Sequence, residues 1–164
     1  MKKCDHMILK IVNADQSHSK DIWKWRNNEI TRSVSRKTDK IKWDEHDSWF
    51  RESLDSNRIF LYIGINKISQ KNIPIGIIRF NLMDFSQKHY QVSINIAPNA
   101  RKKGFGHFLL QNGTKKFIKD IDKCTRIYAE IKVDNLPSTK LFTSSGYSFC
   151  DIDNNGFAKY FIEF

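Results

Sequence analysis

The sequence predicts a single α+β domain in which seven short strands alternate with four helices. Three observations carry that expectation. Apolar residues recur with a period of two in some stretches and near 3.6 in others. The 164 residues are 40% hydrophobic and 13% aromatic, enough for one substantial core. Only three prolines and seven glycines occur, and no repeat, linker or low-complexity block divides the chain.

The elements follow in order. "MILKIV" (7–12) reads as a first strand. Residues 19–27 form a helix that turns Ile22 and Trp25 inward. Between residues 44 and 54, His46, Trp49, Phe50, Ser53 and Leu54 fall at offsets 0, 3, 4, 7 and 8, one face of a second helix. "RIFLYIGIN" (58–66) and "IPIGIIRF" (73–80) are apolar strands. After a polar turn at 84–88, "HYQVSINIA" (89–97) alternates Tyr90, Val92, Ile94 and Ile96 with Gln91, Ser93 and Asn95, as a half-buried strand does. Pro98 ends it. A helix runs from about 104 to 121, with Leu110, Phe117 and Ile121 on one face, and "RIYAEIKV" (126–133) is a strand. "NLPSTKLFTSSG" (135–146) is a helix with Asn135 as cap, Pro137 in the first turn and Gly146 as stop. Strands at 147–151 and 157–163 close the chain around the turn "DNNG" (153–156).

Composition narrows the function. The opening "MKKCDHMILKIV" has a short apolar run broken by Lys10, whereas a membrane span needs about 20 apolar residues. The chain is therefore read as soluble and cytoplasmic, without a membrane partner. Cys4, Cys124 and Cys150 are odd in number and show no CxxC or Cys/His spacing, which argues against a disulfide framework or a metal site. The net charge of +10 calls for anionic partners: nucleic acid, a polyphosphate cofactor, a nucleotide-linked substrate, or simply solvent. Basic residues are spread along the chain, and the aromatic strands read as core. Both points weigh against nucleic acid.

The stretch "NARKKGFGHFLL" (99–110) carries the chemistry. It lacks the Gly-Lys-Ser/Thr of a Walker loop. Leu109 stands where a dinucleotide fingerprint needs its third glycine. What remains is strand, Pro98, then Arg101-x-x-Gly104-x-Gly106 opening a helix. Free N–H groups at a helix N-terminus suit an anion, and Arg101, Lys102 and Lys103 add charge there.

These residues resemble motif A of the GNAT superfamily of N-acetyltransferases, whose R/Q-x-x-G-x-G/A loop wraps the pyrophosphate of acetyl-CoA. "NLPSTKLFTSSGYSF" resembles the family's motif B, about 30 residues on. The resemblance covers most of the chain. It implies a mixed, mostly antiparallel sheet of six to seven strands flanked by about four helices, with splayed central strands. It also implies acetyl-CoA as cofactor without a metal. The contacts so implied are Ile94, Asn95 and Ile96 on the strand, Arg101, Lys102, Lys103, Gly104, Phe105 and Gly106 in the loop, and Asn135, Ser138 and Phe142 in motif B.

"WRNNEITRSVSRKTDKIKWDEHDSWF" (25–50) with "GIIRF" (76–80) resembles the superfamily branch that acetylates 4-amino-sugar nucleotides and shades into ribosomal-protein N-terminal acetyltransferases. By that resemblance Arg26, His46 and Arg79 line the acceptor side. His46, with an ordinary pKa of about 6.5, would take the amine's proton; the alternative is a structural histidine bonded to a backbone carbonyl. Arg26 contacts substrate or pairs with Glu29, and Arg79 meets a substrate phosphate or faces solvent. Trp23, Trp25, Trp43 and Trp49 are core or cleft wall.

The implied reaction is direct acetyl transfer, with a backbone N–H from 95–97 serving the oxyanion and Ser93 and Asn95 holding a proton-relay water. Where relatives carry a general-acid tyrosine, this chain has Phe142. That leaves a slower enzyme, a replacement donor such as Ser138 or Tyr147, or a weakly active acyl-CoA binder. The leading expectation is acetylation of an amino sugar, as an anionic nucleotide sugar. The alternative is a peptide or protein α-amine, and a homodimer is left open.

Overall fold

The computed structural model describes residues 8–164, so Cys4 and the Met7 start of the first predicted strand lie outside the described residues. The elements run β1 (Ile8–Asn13), α1 (Ser19–Asn27), α2 (Glu29–Ser33), α3 (Trp43–Leu54), β2 (Ile59–Ile68), β3 (Lys71–Asp84), β4 (His89–Ile96), α4 (Phe105–Asp120), β5 (Arg126–Lys132), α5 (Leu136–Ser144), β6 (Ser148–Ile152) and β7 (Phe157–Glu163). The seven strands form one sheet in the order β1-β2-β3-β4-β5-β7-β6. Only β4 and β5 pair in parallel; every other neighbour is antiparallel. The predicted mixed, mostly antiparallel sheet is therefore the observed one.

The alternation seen in the sequence decides what each sheet face covers. Leu61, Ile63, Ile65, Ile75 and Ile77 meet Ile22 and Trp25 of α1 and Phe50 of α3 on one side. Tyr62, Ile78, Phe80, Tyr90, Val92, Ile127 and Ala129 meet Leu109, Leu110 and Phe117 of α4 and Phe142 of α5 on the other. Phe80 and Phe117 stack face to face with centroids 4.0 Å apart. Glycine at position 113 makes room for β3 against α4: a Cβ there would sit 2.6 Å from Ile78 Cγ2.

Two features exceed the sequence reading. The helix α2 makes a fifth helix where four were expected, because five residues are too short for a periodicity to register. The strand β3 spans Lys71–Asp84, longer than residues 73–80, since it pairs with β2 along its hairpin. No helix among the described residues is long and apolar enough to cross a membrane.

Candidate active site

The sheet splits between its two parallel strands. Paired residues run from His89↔Arg126 to Val92↔Ala129 and then stop, while β4 stays paired with β3 as far as Gly76↔Ile96. Residues 93–96 of β4 and 130–132 of β5 thus form two banks of an open gap. The Ala97 amide donates to the Ile75 carbonyl at 2.9 Å. Because backbone groups alternate along a strand, Asn95 and Ser93 also address β3, and the amides of Ile94 and Ile96 face the gap. Of the three amides expected to serve an oxyanion, Ile96 alone is turned the required way.

The loop after β4 is built to present amides. Residues Pro98–Ala100 form a 3-10 turn, Lys102 takes φ 60°, and Gly104 takes φ 78° as the residue before α4. Among the described residues no side chain caps α4. Among the described residues, no acceptor is found for the amides of residues 102–107. Successive free amides at a helix N-terminus, with exposed Lys102 and Lys103 beside them, make a nest that fits a diphosphate. A Cβ on Gly104 would meet nothing within 4 Å, so glycine is required by its positive φ rather than by crowding. Phe105 is buried against Ala97, Ala100 and the α1 core and anchors the loop.

Arg101 departs from its expected role. Its guanidinium turns inward, donating to the Ile96 carbonyl at 3.3 Å, to Asn28 Oδ1 at 3.0 Å and to Thr31 Oγ1 at 2.7 Å. Thr31 in turn donates to Asn95 Oδ1 at 3.4 Å. Arg101 therefore ties α2 to the end of β4 instead of standing over a phosphate, and the Asn95 side chain belongs to the same support. Ser93 is exposed.

In motif B, Asn135 caps α5, its Oδ1 accepting from the Ser138 amide at 3.3 Å. Ser138 stands in the first turn of α5, half-buried. Phe142 is 3% exposed and meets Tyr147 edge to face at 4.9 Å, as a core residue. Burial pushes the Tyr147 phenol well above its ordinary pKa, so it stays protonated, and its hydroxyl has no partner among the described residues. Yet its neighbours are Phe142 and Cys124, the latter just before the paired end of β5, away from the gap. The alternative of Tyr147 as a replacement proton donor is thereby corrected.

On the acceptor side, His46 is 3% exposed and bonds the Ser19 carbonyl through Nε2 at 2.9 Å. A carbonyl only accepts, so Nε2 carries the hydrogen. The ring stacks on Phe50 and lies between Trp43 and Trp49 at 5.9 and 5.7 Å. Burial lowers its pKa, partly opposed by the Ser19 bond and nearby Asp47. His46 locks α3 to α1 as the structural alternative described, and with the ring buried and Nε2 bonded to a carbonyl the geometry favours that alternative over the implied roles as base and substrate contact.

Arg26 and Arg79 are half-buried, and the charge of Arg26 bears on Arg79. Arg26 Nη2 donates to the Lys37 carbonyl at 2.8 Å, while Nη1 is buried without an acceptor. The guanidinium of Arg79 lies 5.6 Å from the Trp49 ring centroid. Burial first, then the Arg26 charge, lowers the pKa of Arg79. Among the described residues neither arginine has a carboxylate partner, and the Glu29 pairing does not form. Two desolvated like charges are costly unless an anion joins them.

Sequence reasoning missed the roof over the gap. Lys132 Nζ donates to the Ser33 carbonyl at 3.0 Å. Arg36 donates through Nε to Glu130 Oε2 at 2.8 Å and through Nη2 to Asp153 Oδ2 at 2.5 Å, with Phe157 4.3 Å beneath. The segment after α2 is thus pinned to β5 and β7, as α2 is pinned to β4 by Arg101. A separate concavity of about 440 Å³, lined by residues such as Lys10, Asp15 and His18, lies beside β1 and contains none of the expected site residues. Among the described residues, no group of three or more His, Cys, Asp or Glu could hold a metal ion.

Comparison with known proteins bears on the family and the fold. Residues 20–147 match the model of the acetyltransferase (GNAT) family. No curated protein is similar enough in sequence to count as a relative. Among solved structures, a domain from Methanocaldococcus jannaschii DSM 2661 is similar at 18% identity, covering 97% of this chain and 100% of its own, with a TM-score of 0.82. The spermidine N-acetyltransferase of Vibrio cholerae, in complex with CoA and spermine, is 18% identical over 94% of this chain and 95% of its own (TM-score 0.80). The protein yncA of Salmonella typhimurium, with its cofactor acetyl-CoA, is 15% identical over 94% and 93% (TM-score 0.78). At such identities the likeness is one of fold.

Proposed function

The chain belongs to the acetyltransferase (GNAT) family, and from that premise we propose that its acceptor is a primary amine carrying an anionic group, an amino sugar linked to a nucleotide. The enzyme is an acyltransferase and its donor is acetyl-CoA, which supplies a thioester-activated acetyl group. The free amides of the loop before α4, with Lys102 and Lys103, would hold the diphosphate. The exposed edge of β4 would receive the pantetheine arm as an added strand. The Ile96 amide, fixed by β4 pairing and by Arg101 on its own carbonyl, offers a donor for negative charge developing on a carbonyl oxygen.

The observation that carries the acceptor assignment is two half-buried arginines, Arg26 with its Nη1 buried and without an acceptor and Arg79 beside Trp49, neither with a carboxylate partner among the described residues. A polyamine such as the one named for the Vibrio cholerae relative is cationic and would be repelled there. A sugar diphosphate would satisfy both guanidiniums and the free Nη1. The roof formed by α2 and Arg36 favours a small molecule over an extended peptide, which needs an open groove.

With Phe142 in the core, proton donation to the departing thiolate falls to solvent or to Ser138. A thiol with a pKa of about 8.5 leaves acceptably as the anion. General-acid help contributes about 10²–10⁴-fold, so turnover is expected to be slow rather than absent. The test is incubation with acetyl-CoA and 4-amino-sugar nucleotides while free thiol is followed. Release that requires the amino sugar supports the proposal, and silence with several such acceptors opposes it.

A further inference from the structure

We infer that Glu130 docks the acceptor's ammonium group, making the acceptor site two-ended, with a carboxylate at one end and the Arg26–Arg79 pair at the other. This deepens the reading above and rests on it. The substrate class it names is a small molecule bearing both a primary amine and an anionic group.

The argument begins with strand register. Arg79 of β3 lies directly opposite Ser93 of β4. The β4–β5 pairing ends at Val92↔Ala129, so the next residues on the two banks of the gap are Ser93 and Glu130. Glu130 lies opposite Lys159 of β7. Residues directly opposite share a face, so one row reads Arg79, Ser93, Glu130, Lys159 across the sheet. It is the face on which α1 and α3 pack, since Leu61 stands opposite Arg79. Strands are spaced by about 4.8 Å, so the backbones bearing Arg79 and Glu130 are roughly 10 Å apart, and further where the strands part.

Glu130 is held but not used up. Its Oε2 accepts from Arg36 Nε at 2.8 Å, and its Oε1 has no partner among the described residues. Arg36 is itself fixed by Asp153 and by the Phe157 ring. Lys159 does not neutralise the carboxylate; its ammonium lies 4.2 Å from the Tyr128 ring centroid. A carboxylate oriented by one guanidinium, with its second oxygen open, suits a short charge-assisted bond from an ammonium. An amine held there stands beside Ser93, where the strands separate and the Ile96 amide faces the gap. The anionic portion then reaches back along the row to Arg79 and Arg26. Glu130 thus selects for the amine and places it; Arg36 is the residue that positions Glu130.

The test is calorimetry on the CoA-bound protein with a 4-amino-sugar nucleotide and its 4-hydroxy counterpart. Wild type should prefer the amine by about tenfold or more. In E130Q that preference should fall to near unity, with affinity for CoA and for the hydroxy nucleotide unchanged. A preference that survives E130Q, or equal weakening of both nucleotides, overturns the inference. If neither nucleotide binds wild type, the sugar-nucleotide acceptor fails, and the comparison moves to an acidic peptide with a free or an acetylated N-terminus. A preference for the free amine that vanishes in E130Q then sustains the role of Glu130; its absence in wild type, or its survival in the variant, refutes it.

Discussion

At the scale of single residues, two positions separate binding from architecture. Gly104 holds φ 78° with open space around it, so a side chain there is resisted by the backbone alone. A β-branched residue costs about 1–3 kcal/mol in this region and would be relieved by rearranging the loop. Gly104→Val is therefore expected to keep the fold, seen as an intact tryptophan emission spectrum, and to lose CoA binding in calorimetry. Tight CoA retention would contradict the loop assignment. His46 makes the opposite case. Its pKa is lowered by burial, so the unfolded chain binds the proton more readily near the ordinary value of about 6.5. Its contribution to stability is full above that pH and is lost as pH falls through the folded value. In urea titrations, His46→Gln should flatten the pH dependence of the midpoint on the acid side of 6.5. In the same variant the acid limb of the kcat/KM profile should persist, because the histidine is not the amine's base.

At the scale of elements, the parting of β4 from β5 is the device that makes a site out of a sheet. The strand β4 keeps one edge bonded to β3 and leaves the other open, so its amides fall into two classes. Hydrogen exchange of the free protein should find Asn95 and Ala97 protected and Ile94 and Ile96 fast. Adding CoA should slow Ile94 and Ile96 selectively, as an added strand takes their hydrogens. Uniform protection across 93–97 before ligand would mean that the gap is closed. The helix α2 is the second such device. It has only five residues, and Arg101 and Lys132 fasten it and the residue that ends it to the two banks of the gap. A donor loop and an acceptor roof that share Arg101 are mechanically joined.

At the scale of the whole molecule, the net charge of +10 is informative once the arginines are sorted. Arg36, Arg51 and Arg126 are paired with carboxylates, whereas among the described residues Arg26, Arg32, Arg58, Arg79 and Arg101 have no carboxylate partner. Two of these unpaired guanidiniums, with the loop lysines, leave anion sites around a single gap. The succession of strands along the chain and the loop were legible in the sequence because they rest on local signals: period-two alternation, Pro98, and glycines at fixed offsets before a helix. The role of Arg101 was not legible, because its partners lie 70 and 73 residues away. Arg36 and Glu130 are 94 residues apart for the same reason. The alternation of "RIYAEIKV" did put Glu130 on the face opposite Ile127, Ala129 and Ile131, a signal that could have singled it out. His46 misled because an apolar helix face fits a cleft and a core equally well.

The most direct measurement is a crystal structure of the protein with CoA bound. The account predicts the diphosphate within hydrogen-bond distance of the amides of residues 103–106 and the pantetheine arm lying between β4 and β5. A diphosphate bound elsewhere on the molecule, or a β4–β5 gap left empty beside a bound cofactor, would contradict it.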